Sequence, residues 1–231
     1  MLTRIAICLL PLMACGGDAA PTPDGSNVPA MVIVSGVVSE ITAQGRVPTA
    51  GVSLSAFKEG GTTALATGTS DASGNFSLSI PTGGVALDGY VLAHIPNYMD
   101  TYLYPPAPLT ADRTVPVFIL KPATFGAAGA LAQVSQTAGK AWIGVQAIDA
   151  SDMTVGGVVV TSTPAGTVRY NGANGLPTNA AGATMTQMDG IAYIFNATPG
   201  TVSVSAAKSG ATFHTHNVNA RADQITLTLI Q

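Results

Sequence analysis

From residue 31 onward the chain is written in short apolar runs broken by Gly, Pro, Asn and Asp. Residues 31–38 (MVIVSGVV) are β-branched and apolar, as a buried strand requires. Residues 52–57 (VSLSAF) and 75–80 (NFSLSI) alternate with period two, so that Phe76, Leu78 and Ile80 share one face. Between them, Asp71-Ala72-Ser73-Gly74 carries the residues of a tight reversal, with Asp71 placed to accept from nearby backbone N–H groups. Residues 90–93, 101–104 and 115–120 bring the first half to about seven strands, the count of a small β-sandwich. The second half repeats the plan at 142–148, 158–162, 191–196, 201–205 and 225–229, with 167–170 as an extra strand inside the Gly- and Asn-rich stretch 164–182. Two anchors relate the halves: Gly51-Val52 matches Gly157-Val158, and Asp71 and Asp189 each precede a proline by ten residues. The pattern therefore predicts a tandem duplication. Residues 127–136 (AAGALAQVSQ), interrupted by Gly129, form the one helix candidate, between the boundary marks Lys121-Pro122 and Gly139. The expected fold is all-β: two tandem seven-stranded Greek-key β-sandwich domains, residues 30–121 and 140–231, joined by a linker at 122–139.

The N-terminal stretch has a different character. Arg4 precedes an apolar run at 5–13 that is too short to span a bilayer and reads as the core of a signal peptide, residues 1–14. It ends in Leu12-Met13-Ala14-Cys15, which resembles the lipobox of bacterial lipoproteins. That resemblance implies cleavage before Cys15, a diacylglycerol on its thiol and an acyl chain on its amine. Residues 15–29 then form a polar tether, and Gly16, in place of the Asp associated with inner-membrane retention, points to the outer membrane. Cys8 leaves with the signal peptide, so Cys15 is the sole mature cysteine and no intrachain disulfide is expected.

Composition narrows the classes further. Only 9% of residues are charged, 47% are hydrophobic and the formal net charge is −3, which excludes a coiled coil and a charge-rich disordered chain. Nine scattered Lys and Arg residues do not make a phosphate-neutralising surface, so no nucleic-acid partner is expected.

Turn and core positions carry a second resemblance. Pro48-x-x-Gly51-Val52-x-Leu54, followed by Thr69-Ser70-Asp71-x-x-Gly74-x-Phe76-x-Leu78-x-Ile80-Pro81, resembles carboxypeptidase regulatory-like domains. Asp189-Gly190-Ile191-Ala192-Tyr193-Ile194-Phe195 and Pro199-Gly200-Thr201-Val202 look like a more divergent copy. The resemblance implies transthyretin-like (prealbumin-like) sandwiches that serve as folding, adhesion or contact modules, and it transfers no catalytic residue.

Few residues invite chemistry. His214-Thr215-His216 would place two imidazoles on one face of a strand, and intradiol ring-cleaving dioxygenases also use a His-x-His pair with two tyrosines. Tyr170 and Tyr193 lack that family's surroundings, no third ligand can be named, and no bound metal or other cofactor is expected beyond the lipid on Cys15. His94 stands alone, no Gly-x-Ser-x-Gly elbow occurs, and Gly60-Gly61 and Gly156-Gly157 do not open phosphate loops. Asp149, Asp152 and Asp189 lack the oxygen density of a calcium loop. The better binding candidates are Tyr98, Tyr102 and Tyr104, near Tyr90 and followed by Pro105-Pro106, because tyrosine offers an apolar ring with a polar tip. Core packing of Tyr102 and Tyr104 is the competing reading. The expectation is thus a non-catalytic, lipid-anchored envelope protein with a structural or binding role, contacting the membrane through its anchor and an envelope protein or polysaccharide through its sandwiches. The alternatives are a carbohydrate-binding accessory lipoprotein and a dioxygenase-like metalloprotein using His214 and His216.

Overall fold

The computed structural model describes residues 28–231, so the signal peptide, Cys15 and nearly all of the tether lie outside the described residues. The first half forms β1 (Met31–Thr42), β2 (Gly45–Pro48), β3 (Ser53–Lys58), β4 (Ala66–Thr69), β5 (Asn75–Pro81), β6 (Gly89–His94), β7 (Thr101–Tyr104), β8 (Arg113–Thr114) and β9 (Val117–Ile119). After helix α1 (Pro122–Leu131) come β10 (Ala141–Ala147), β11 (Val159–Thr163), β12 (Thr167–Asn171), β13 (Pro177–Thr178), β14 (Ile191–Ala197), β15 (Gly200–Ala207), β16 (His216–Ala220) and β17 (Ile225–Ile230). The protein is all-β, with one short helix among the described residues. No helix among them is long and apolar enough to cross a membrane.

The strands form three sheets. In the first, β1 pairs antiparallel with β5 and β2, and β8 and β9 run parallel beside it. The central sheet has nine strands in the order β13-β12-β14-β10-β17-β7-β6-β3-β4, and the third has the order β11-β15-β16. The first sheet packs on one face of the central sheet, around Val32, Leu54, Leu78, Ile80, Val91 and Leu103. The third packs around Ile143, Val145, Ile194, Val202, Val204 and Val218. Each half is therefore a two-layer sandwich, and one sheet is common to both.

The repeat is written in hydrogen bonds. In the first half Gly51 N–H donates to Ser70 O, Ser70 N–H to Val52 O and Val52 N–H to Ser70 Oγ, each at 3.0 Å. In the second, Gly157 N–H donates to Thr186 O, Thr186 N–H to Val158 O and Val158 N–H to Thr186 Oγ1, at 2.8, 2.9 and 3.0 Å. The Gly-Val anchor is thus a structural equivalence. The aspartate anchor is not. Gly74 N–H returns to Asp71 O and Gly190 N–H to Gln187 O, both at 2.9 Å, so Asp71 aligns with Gln187 rather than Asp189. Glycine sets the turn: φ is +77° at Gly74 and +69° at Gly190, and a Cβ there would lie 2.6 Å from Val38 O and 2.5 Å from Ala147 O.

The sequence misplaces the helix by five residues, at 127–136 instead of 122–131. Pro122 begins it, where the missing N–H costs nothing, and Gln133 at φ +51° lies beyond its end. A second departure separates the halves. Strand β4 covers the edge of β3, whereas β12 crosses to the other sheet and pairs with β14. That leaves β11 without a strand on its outer side. The Tyr170 phenol takes the place of that strand: Val160 N–H donates to its oxygen at 2.9 Å, and the hydroxyl donates back to Val160 O at 3.4 Å. We expect Tyr170→Phe to leave the buried Val160 amide unpaired and to cost about 1–3 kcal/mol. It should lower the midpoint of chemical denaturation at unchanged slope.

Candidate functional site

Three of the candidate residues, Tyr102, Tyr104 and His216, gather where the two halves meet. Strand β17 runs parallel to β7, with Ile225 beside Thr101, Thr226 beside Tyr102, Leu227 beside Leu103 and Thr228 beside Tyr104. Side chains alternate across this pair. Leu103 and Leu227 face the first core, while Tyr102, Tyr104 and Thr228 face the second.

Tyr104 is 1% exposed and belongs to the second core, and Tyr102 is half-buried beside it. Tyr90 on β6 completes a triangle, 5.6 Å from the Tyr102 ring and 5.4 Å from that of Tyr104, and Phe57 stacks on Tyr90 at 5.4 Å. Arg221, just past β16, closes the cluster. Its guanidinium carbon lies 3.8 Å from the Tyr102 centroid and 4.5 Å from that of Tyr90, and Nη1 donates to the Tyr104 hydroxyl at 3.3 Å and to Asn219 O at 2.8 Å. Such cation–π contacts contribute about 0.5–2 kcal/mol each. Burial pushes the Tyr104 phenol up to about 12, with Arg221 opposing and the Glu59 charge adding to it, so the phenol stays neutral. Burial also raises Tyr102. The ring faces on which a sugar could stack are therefore occupied by an arginine of the same chain. A small apolar cavity of about 30 Å³ borders Phe57, Tyr90, Leu103, Tyr104 and Pro105, far below the size of a sugar or drug-sized ligand site.

Tyr98 is not part of this group. It packs against the first core and donates to Glu40 Oε2 at 2.6 Å, while Lys121 Nζ approaches Glu40 Oε1 at 2.9 Å and lies 5.0 Å from the Tyr98 ring centroid. The hydrogen bonds from Tyr98 and then Lys121 hold the Glu40 carboxyl below its ordinary range. The three candidate tyrosines thus occupy two separate environments.

The histidine pair also separates. His216 begins β16, with Nδ1 2.7 Å from Thr228 Oγ1 and its ring edge-on to Tyr104 at 6.3 Å. His214 precedes the strand, is exposed, and donates its backbone N–H to Gln231 O at 2.9 Å. Tyr170 is committed to Val160, and Tyr193 stacks on Trp142 at 5.5 Å and 16°. No group of three or more His, Cys, Asp or Glu side chains suited to a metal occurs among the described residues. His94 Nδ1 sits 2.6 Å from Asp100 Oδ1, and Asp71 Oδ1 accepts from Ser73 and Asn75 N–H at 2.8 Å, as its turn position predicts.

A second aromatic cluster lies on the opposite face of the joint. Trp142 on β10 is flanked by Tyr193 and Phe195 on β14 and meets Phe125 of α1 edge-on at 5.5 Å. Leu120, Ile225, Ile41 and Met99 pack into the same group, so it holds residues of both halves and of the linker. Phe57 ended a period-two strand and could have been noticed. Nothing in the local sequence marks Arg221, which is separated from Tyr102 by more than a hundred residues.

No family model matches the chain, and no curated protein matches it. Among solved structures, the TIE protein of Bacillus anthracis is 11% identical with a TM-score of 0.27, over 87% of this chain and 34% of that one. The shaft pilin SpaA from Lactobacillus rhamnosus GG is 14% identical with a TM-score of 0.27, over 87% and 97% of the two chains. A type II cohesin–X-dockerin complex from Acetivibrio cellulolyticus is 17% identical with a TM-score of 0.30, over 39% and 58%. The chain thus spans about a third of the length of the TIE protein and under two thirds of the matched cohesin–dockerin chain. With TM-scores this low, the fold rests on the strand pairing itself.

Two measurements test the joint. Arg221→Ala should lower stability by about 1–3 kcal/mol and make Tyr102 more accessible to solvent, and Arg221→Lys should restore little of it because an ammonium lacks the planar fork. Burial holds the His216 imidazole below its ordinary value of 6.5. The unfolded chain therefore takes up a proton before the folded one, so the stability tied to the neutral ring is complete above pH 6.5 and is lost as pH falls through the folded value. Compared above and below that pH, the melting temperature of wild type should fall more than that of His216→Gln.

Proposed function

We propose that this is a non-catalytic, lipid-anchored protein of the bacterial cell envelope, with a structural or partner-binding role. The carrying observation is the placement of Arg221 over Tyr90 and Tyr102, together with its bond to Tyr104. The most chemically promising side chains are spent on joining the two sandwiches. The histidines that could have formed a metal pair are parted by burial: His216 is bonded to Thr228, and His214 is exposed.

In this reading the two halves are divergent copies of a carboxypeptidase regulatory-like domain, divided at residues 122–139. Of the three candidate tyrosines, Tyr98 keeps surface to meet a protein or polysaccharide, whereas Arg221 covers the Tyr102 ring and Tyr104 is buried. The Leu12–Cys15 motif supports acylation at Cys15, and the outer membrane is the proposed location.

Replacing Cys15 with Ser tests the anchor. The variant should no longer incorporate labelled fatty acid and should move from the membrane to the soluble periplasmic fraction. Unchanged membrane association would sink the reading.

A further inference from the structure

The outer face of the first sheet departs from the polar pattern of a solvated surface. On β5 the outward positions are Asn75, Ser77, Ser79 and Pro81, and on β1 they are Met31, Ile33, Ser35 and Val37. Two of the apolar ones fall at the N-terminal end of the strand: Met31 is 49% exposed and Ile33 is 42% exposed. Val85, 61% exposed, stands on the loop that follows β5, and Thr82 and Gly83 of that loop donate backbone N–H groups to Ala30 O at 3.0 and 3.3 Å. Apolar side chains from two segments therefore collect at the point where the described chain begins. Pro29, Met31, Ile33, Ser79, Ala111 and Asp112 line a shallow groove there, of about 590 Å³.

The length of chain before that point says what lies near it. Twelve residues, 16–27, separate Cys15 from Val28. A chain of that length, whatever its conformation, cannot reach farther than roughly 45 Å. A lipid on Cys15 thus keeps this end of the first sandwich within that distance of the bilayer. Charge selects the kind of contact. The Asp112 carboxylate accepts from Ile33 N–H at 2.7 Å, and Arg113 is paired with Asp152 at 2.5 Å. Among the described residues that line the groove none is Lys or Arg, so recognition is by the apolar boundary of the bilayer rather than by lipid charge.

We infer that Met31, Ile33 and Val85 form a membrane-facing foot that seats the first sandwich on the lipid surface to which Cys15 is anchored. This rests on the anchoring proposed above. It goes beyond it by assigning a second contact, which fixes how the protein stands, since lipidation at one residue gives attachment without orientation.

The test uses full-length acylated protein with an environment-sensitive fluorophore on a single introduced cysteine, Met31→Cys or Val85→Cys, with Leu176→Cys as the control. Leu176 is 46% exposed and lies between β12 and β13, at the edge of the central sheet opposite β3 and β4. On phosphatidylcholine vesicles, labels at 31 and 85 should brighten several-fold, shift to the blue and be quenched by acyl-brominated lipid, while the label at 176 does none of these. The response should be equal on anionic vesicles. Flotation with the vesicles reports the anchor separately. If the chain does not float, a hexahistidine segment at position 15 on nickel-chelating lipid supplies the tether, and the same readout decides. Floated protein whose labels at 31 and 85 respond no more than the one at 176 overturns the inference. So does a response that needs protein concentration rather than vesicles, which would assign the face to a second copy of the chain.

Discussion

The parallel ladder between β7 and β17 is the constraint on which the rest of the molecule depends. Parallel neighbours need a crossover connection, and here the crossover is the whole intervening half of the chain. A parallel pair in the middle of a sheet is covered on both faces, so β17 has to serve two cores at once. It sends Leu227 and Leu229 against the first core and Ile230 into the second. The layer that covers each face belongs to a different half. The two sandwiches therefore meet with one sheet in common and their outer layers on opposite sides of it.

That stagger leaves a step on each side of the joint, and aromatic side chains occupy both. On one side Tyr90, Tyr102 and Tyr104 are closed over by Arg221 and His216 from the end of the second sandwich. On the other, α1 lays Phe125 against Trp142. The two are built differently for a physical reason. A helix brings enough apolar surface to bury an indole outright, whereas a single arginine brings a planar cation that suits ring faces and can also donate to a buried phenol. Tyrosine at the joint is then a structural choice. Its ring supplies area, and the Tyr104 hydroxyl finds a donor in Arg221.

Most strands were legible because alternation survives in any strand with one wet face. The failures come where that condition lapses. Residues 225–229 alternate Ile, Thr, Leu, Thr, Leu and read as half-exposed, yet Thr226 and Thr228 are buried at 0% and 2% because the third sheet covers them. Thr228 is satisfied by His216, and the Thr226 hydroxyl has no partner. The sequence alone cannot distinguish a threonine facing water from one facing another sheet, since the difference lies in which layer packs over it. Distance along the chain hid the tyrosine cluster. Local spacing correctly put Tyr102 and Tyr104 on one face, but the guanidinium that covers it arrives from Arg221. The ten-residue match between Asp71 and Asp189 shows the opposite error, a local pattern without a structural equivalent, because glycine rather than aspartate is what both turns require.

The joint also bears on how attachment at one end can position the other. Two sandwiches on a flexible linker would reorient independently, and a contact made by the first would say nothing about the second. Here the linker is itself packed, through Leu120 and Phe125, into a cluster that includes residues of both halves. Rotating one sandwich against the other would break the ladder, uncover Trp142 and withdraw Arg221 from the tyrosines in the same motion. These losses are coupled, because each contact exists only while the shared sheet is continuous. A constraint applied at β1 is therefore transmitted through the central sheet to β11, β15 and β16. Tyr102 and Tyr104, which looked like a surface for a ligand, are spent on that joint.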